Sequence, residues 1–132
     1  MIFLLDTHIL LWWCHASEKV PQEFLGKIEG EEAAGRRLGI SIISLWEIAK
    51  LVEKGRVDTA VSLDQWFPQL ESHPTIEVLP LTGRIILESQ RLGDKFPRDP
   101  SDQLIAATAR VHGLRLMTVD ENIAKSGVVA IA

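Results

Sequence analysis

The chain has 132 residues, of which 46% are hydrophobic and 24% are charged, and its formal net charge is −4. This size and balance are typical of one globular domain and exclude a disordered or low-complexity protein. The acidic balance also argues against a broad basic nucleic-acid surface, and the single cysteine, Cys14, excludes an intramolecular disulfide and a thiolate metal site.

Short apolar runs alternate with helical patterns along the chain. The apolar N-terminus lacks a basic region and is interrupted at Asp6, so we expect a cytoplasmic protein without a signal peptide or membrane span. In chain order, the pattern predicts strand 2–5, helix 6–16, helix 21–30, strand 38–43, helix 44–55, helix 63–72, strand 76–81, helix 82–93, helix 99–113, strand 114–119, a helical turn after residue 120 and strand 128–132.

This alternation predicts an α/β fold. Strands that are apolar throughout are buried on both faces, which is typical of a parallel sheet covered by helices. We therefore expect residues 1–132 to form a single domain, with a central parallel sheet of four to five short strands and helices on both faces.

Four acidic residues lie at junctions between a strand and a helix. Asp6 follows the first strand, and Asp120 follows the fourth. Glu47 lies three residues after Ser44, and Asp102 lies in the first turn of helix 99–113. Because ligands of parallel sheets bind beyond the carboxyl ends of the strands, we expect these four side chains to face one crevice.

Helix capping explains each acid taken singly. "SLWE" fits a capping box, with Ser44 as the N-cap and Glu47 reaching back to its amide. "DPSD" fits a similar arrangement, with Asp99 as the N-cap, a proline at the first helical position and Asp102 at the third. Asp6 and Asp120 can each cap the helix that follows, and acids in the first helical turn also gain from the helix dipole.

Capping explains the coincidence of four acids less well. Two ionised carboxylates about 5 Å apart repel each other by roughly 3 kcal/mol at an effective dielectric constant near 20. Such a cluster either holds protons or binds a divalent cation, and helix-terminus amides favour the ionised form. Oxygen ligands suit Mg²⁺ or Mn²⁺, whereas the four histidines lack the paired spacing of a zinc site.

Four sequence blocks, "LLDTHILLW" (4–12), "SLWEIAK" (44–50), "RDPSDQLIAATA" (98–109) and "LMTVDENI" (116–123), resemble the PIN-domain ribonucleases in order and spacing. Within that family, the chain is most similar to the VapC-type toxins of toxin–antitoxin pairs. The resemblance implies a metal-dependent endoribonuclease whose acidic residues hold Mg²⁺, with Mn²⁺ as a substitute. By position, these acids are Asp6, Glu47, Asp102 and Asp120.

The resemblance also implies supporting roles. The first and third acids of the family are the firmest metal ligands, and a hydroxyl residue near the last acid corresponds to Thr118. Asp99 has no assured family role, so we interpret it as the helix cap and Asp102 as the ligand. Lys50 lies one helical turn after Glu47 and is the best candidate for a contact with an RNA phosphate.

The resemblance implies two protein partners, a second copy in a homodimer and a cognate antitoxin laid across a hydrophobic groove. The alternative from another functional class is a PIN-like RNA-binding module without catalysis. A receiver domain is disfavoured because "IEVLPLTG" provides no aspartate at the end of the third strand. A haloacid-dehalogenase-type phosphatase is disfavoured because His8 stands where a second aspartate is needed.

Overall fold

A four-stranded parallel sheet forms the centre of the computed structural model, which describes all residues from 1 to 132. Its strands are β1 (Phe3–Leu5), β2 (Leu38–Ser41), β3 (Ile76–Leu79) and β4 (Arg115–Met117), in the order β3-β2-β1-β4. Leu5 pairs with Ile40 on one side and with Met117 on the other. The predicted parallel sheet is therefore confirmed.

The segment 128–132 does not form the fifth strand that the sequence pattern predicts. It contributes a single parallel bridge between Ile131 and Leu116. Gly127 ends the preceding helix in the left-handed conformation, with φ of +70°, and the chain bends at residues 128 and 129, so that only the backbone around Ile131 bonds to Leu116.

Seven helices complete the fold. They are α1 (Thr7–Cys14), α2 (Gln22–Ala33), α3 (Ile42–Glu53), α4 (Leu63–Ser72), α5 (Gly83–Ser89), α6 (Pro100–His112) and α7 (Glu121–Ser126). None of them combines the length and apolar character that crossing a bilayer requires.

The helices cover both faces of the sheet. Leu4 and Leu5 are fully buried but belong to different hydrophobic clusters, because successive side chains of a strand point to opposite faces. Side chains of α1 to α4 pack around Leu5, and side chains of α6 and α7 pack around Leu4. The apolar run in β1 therefore reflects burial on both faces, as predicted.

Helix α3 begins earlier than predicted. Ser41 is the N-cap and accepts a hydrogen bond of 3.2 Å from the N–H of Ile43. The assignments of residues 42–43 to the strand and of Ser44 to the N-cap are wrong. Isoleucine favours strands, and a short apolar run does not distinguish a strand from a buried helix, so the sequence gave no sign that the strand ends at the serine before the two isoleucines.

Candidate acidic site

Asp6 lies directly after β1 and is 8% exposed. Its backbone N–H donates to the carbonyl of Met117 at 3.0 Å, which holds the residue against β4. Its Oδ1 accepts from the N–H of Thr7 and its Oδ2 accepts from the hydroxyl of Thr118, both at 2.7 Å. Asp6 therefore caps α1, as expected, and its carboxylate is oriented by one donor on each oxygen.

Glu47 is connected to α1 by Thr7. The Oγ1 atom of the fully buried Thr7 lies 2.5 Å from Oε1 of Glu47 and 2.9 Å from Oγ of Ser44. Burial raises the pKa of Glu47, the Thr7 hydrogen bond opposes this, and the negative charges of Asp6 and Asp99 raise it further. Ser44 thus belongs to the polar network behind Glu47, not to the helix start.

Asp102 lies in the first turn of α6. Its backbone N–H donates to Oδ1 of Asp99 at 3.0 Å, which places Asp99 at the N-cap. The carboxylate of Asp102 forms no hydrogen bond or ion pair within the chain. Burial raises the pKa of Asp102 to about 7, and the negative charges of four neighbours contribute to that shift, namely Asp6, Asp99, Glu47 and Asp120.

Asp120 is the N-cap of α7. Its Oδ1 accepts from the N–H groups of Asn122 and Ile123, at 2.8 and 3.2 Å, while its own N–H donates to Oγ1 of Thr118 at 3.1 Å. Thr118 therefore contacts both Asp6 and Asp120. The second carboxylate oxygen of Asp120 forms no hydrogen bond within the chain.

The negative charge at this edge of the sheet is not neutralised within the chain. Seven ion pairs occur in the structure, and none includes any of the four acids or Asp99. Lys50 pairs with Glu53 at 3.4 Å rather than with Glu47. Neighbouring carboxylates without a cation either retain protons or attract a metal ion.

The donor set fits a hard divalent cation. Every candidate ligand is a carboxylate oxygen, which is the donor that Mg²⁺ and Mn²⁺ prefer. No three acidic, histidine or cysteine side chains are already arranged around one point as a complete metal site. The site therefore matches such an ion in donor type and in charge, but the carboxylates do not converge on one point in this structure.

Sequence reasoning missed Thr7 as a site residue. It follows Asp6 in "LLDTH", and its burial and its contact with Glu47 depend on α1 packing against α3. A hydroxyl residue next to a candidate ligand was the only local signal.

The PIN domain family model matches residues 3–128 of the chain. The chain belongs to the PIN-domain family. Over 120 residues this PIN domain is 32% identical to Ribonuclease VapC22 of Mycobacterium tuberculosis, covering 91% of this chain and 88% of that protein. The resemblance carried by the four sequence blocks is thereby confirmed.

Solved structures share the fold of this PIN domain. VapBC2 from Rickettsia felis, bound to a DNA fragment from its promoter, matches with a TM-score of 0.73 and 19% identity, covering all of this chain and 98% of that one. VapBC-1 from nontypeable Haemophilus influenzae matches with a TM-score of 0.70 and 20% identity, covering 100% of this chain and 97% of that one. FitAcB from Neisseria gonorrhoeae matches with a TM-score of 0.69 and 17% identity, covering 98% of this chain and 96% of that one.

Proposed function

We propose that this PIN domain is a metal-dependent endoribonuclease that hydrolyses RNA phosphodiester bonds and acts as the toxin of a toxin–antitoxin pair. The observation that carries the proposal is a group of carboxylates at the carboxyl edge of a parallel sheet, none of which forms an ion pair with a lysine or arginine side chain. The ribonuclease with which the chain is 32% identical supports RNA as the substrate.

We assign Asp6 and Asp102 as the principal ligands of Mg²⁺ or Mn²⁺, with Glu47 and Asp120 completing the acidic set. A bound divalent ion supplies a nucleophilic water at neutral pH and stabilises charge on the phosphate oxygens. Thr118 holds Asp6 by its hydroxyl, and Thr7 holds Glu47. Both contacts restrict the carboxylates to a few orientations, which is the usual role of residues behind metal ligands.

No side-chain nucleophile is needed for this chemistry. His8 is exposed and forms no hydrogen bond with any of the four acids. Cys14 lies at the end of α1. The chain's own contribution is to hold carboxylates where a metal ion and an RNA phosphate meet.

A cognate antitoxin and a second copy of this chain are the proposed protein partners. Structural similarity to VapBC2 from Rickettsia felis and to FitAcB from Neisseria gonorrhoeae supports the antitoxin assignment. A groove of about 330 Å³ between α1 and α4 is lined by five apolar residues, Trp13, Cys14, Trp66, Leu70 and Ile76, and by the polar residues Gln69 and His73. It is a suitable hydrophobic groove for a peptide segment.

A PIN-like module that binds RNA without cutting it is the competing function. Such a module has no need for carboxylates that repel the phosphate backbone. The unbalanced acids beside Asp102 therefore favour hydrolysis.

Cleavage of a single-stranded RNA by the purified protein tests the proposal. We expect cleavage with Mg²⁺ or Mn²⁺, none with a chelator, and strong loss in Asp6→Asn and Asp102→Asn. Asp64→Asn is the matched control, because Asp64 is an exposed acid on α4 away from the site. Full activity in chelator or in the two site variants would reject the hydrolase, and metal-independent RNA binding without cleavage would favour the alternative.

A further inference from the structure

Trp46 exposes more of its surface to solvent than the other three tryptophans do. Its exposed fraction is 54%, whereas Trp66 is 8% exposed and Trp12 and Trp13 are partly buried against the core. It is a residue of α3 and immediately precedes Glu47. An indole left half in water adds little to folding, so its position next to the acidic site suggests a binding role.

The ring lines a groove that also contains Glu47 of the acidic site. The groove has a volume of about 560 Å³ and runs between α3 and the start of α6; its lining includes Trp46, Glu47, Lys50, Lys54, Arg56 and Asp99. Glu47 of the acidic site, the helix cap Asp99 and three cations therefore share one depression with the indole, and Glu53 also lines it.

The cations continue from the ring along α3. Lys50 lies one helical turn after Trp46, and its Nζ is 6.0 Å from the ring centroid. Lys54 lies a further turn along, and neither Lys54 nor Arg56 forms an ion pair with the chain's own acids. The pair of Lys50 with Glu53 is exposed, and such pairs contribute little, so Lys50 is free to exchange partners.

We propose that Trp46 is a positioning residue that stacks on an unpaired base of the RNA, next to the phosphate held at the acidic site. This inference rests on the proposed ribonuclease function and specifies single-stranded RNA as the substrate class. Unpaired bases stack on aromatic side chains whatever their identity, while nearby lysines and arginines contact the backbone. An acidic protein needs such local contacts, because its net charge of −4 repels RNA.

Steady-state cleavage of a short single-stranded RNA by Trp46 variants tests the assignment. We expect Trp46→Ala to raise KM by about 10- to 100-fold, as the loss of one stacked base predicts, with kcat close to wild type. Trp46→Phe restores most of the affinity because it retains an aromatic face. Trp46→Leu keeps the apolar bulk and behaves like alanine. Leu87→Ala, which removes a 59%-exposed apolar side chain of α5, is the control and leaves KM unchanged.

Three results would overturn the inference: a wild-type KM in Trp46→Ala, restoration by leucine as good as by phenylalanine, or conversion of a dimer to a monomer by Trp46→Ala with unchanged RNA affinity. The last result would make the indole a contact with a second copy of the chain. If the wild-type protein cuts no RNA with either metal, the proposed function fails by itself. Anisotropy of a labelled single-stranded RNA then tests Trp46 separately, and equal affinity of wild type and Trp46→Ala contradicts stacking.

Discussion

The hydroxyl of Thr118 donates a 2.7 Å hydrogen bond to Oδ2 of Asp6, although the two residues are 112 positions apart in the sequence. The contact forms because β4 lies beside β1, with Met117 paired to Leu5. Thr118 in turn accepts from the N–H of Asp120 at 3.1 Å. One buried hydroxyl thus contacts both the first and the last of the four candidate acids.

Removing that hydroxyl tests its role. We expect Thr118→Val to lower metal affinity or cleavage by about 10- to 100-fold, because the orientation of Asp6 is lost while the side-chain volume is kept. Thr118→Ser retains the hydroxyl and stays close to wild type. Calorimetric Mn²⁺ titration and RNA cleavage measure both effects, and a fully active Thr118→Val would show that the hydrogen bond is only structural.

Asp99 and Asp102 have different roles three residues apart. Asp99→Ala removes the N-cap of α6 and is expected to lower the free energy of unfolding by about 1 kcal/mol, whereas Asp99→Asn keeps an acceptor and loses less. Both variants continue to cleave RNA, and Asp102→Asn does not. Urea denaturation and cleavage assays on the three variants separate the roles, and an inactive Asp99→Asn would make Asp99 part of the catalytic site.

The stability of the metal-free protein depends on pH through Asp102. Its pKa rises from 3.8 to about 7 on folding, so the folded state binds this proton more tightly than the unfolded state does. Below both pKa values the group is protonated in both states, and it does not reduce the free energy of unfolding. As the pH rises from about 4 to about 7, Asp102 ionises in the unfolded chain but stays protonated in the folded protein, and this lowers the free energy of unfolding. Above about 7 the group is ionised in both states and the loss is complete.

We therefore expect the chelated wild-type protein to be more stable at pH 5.5 than at pH 8, with Asp102 contributing about 1–2 kcal/mol after allowance for its partial exposure to solvent. Asp102→Asn should be more stable than wild type at pH 8 and should lose most of that difference at low pH. Urea denaturation in chelator at the two values measures this. A wild type and variant with the same pH dependence would contradict the electrostatic account of the site.

Much of the fold was predictable because apolar strands and helix-start signals are local. The run in β1 indicated burial on both faces, and "DPSD" indicated the start of α6 with Asp99 as its cap. The start of α3 was not predictable in the same way. Ser41 and Ser44 are both suitable N-caps. Which of them caps α3 depends on where the pairing of β2 ends and on the contact between Ser44 and Thr7.

The sequence predicted which acids belong to one candidate site, but it did not predict the hydrogen bonds around them. Positions after a strand led to Asp6 and Asp120, and positions near a helix start led to Glu47 and Asp102. The charges of the other three acids contribute to the raised pKa of Asp102. The contact from Thr7 to Glu47 requires α1 and α3 to pack against each other with a particular offset along their axes. The exposure of Trp46 likewise depends on which face of α3 packs inward, and an apolar sequence such as "IISLWEIAKL" does not show that.

Calorimetric titration of Mn²⁺ into the metal-free protein tests the central claim, that distant carboxylates form one cation site. The wild type and the control Asp64→Asn are expected to bind Mn²⁺ saturably, whereas Asp6→Asn and Asp102→Asn bind at least about 10-fold more weakly because each lacks a ligand charge. Equal Mn²⁺ affinity in all four proteins would contradict the account.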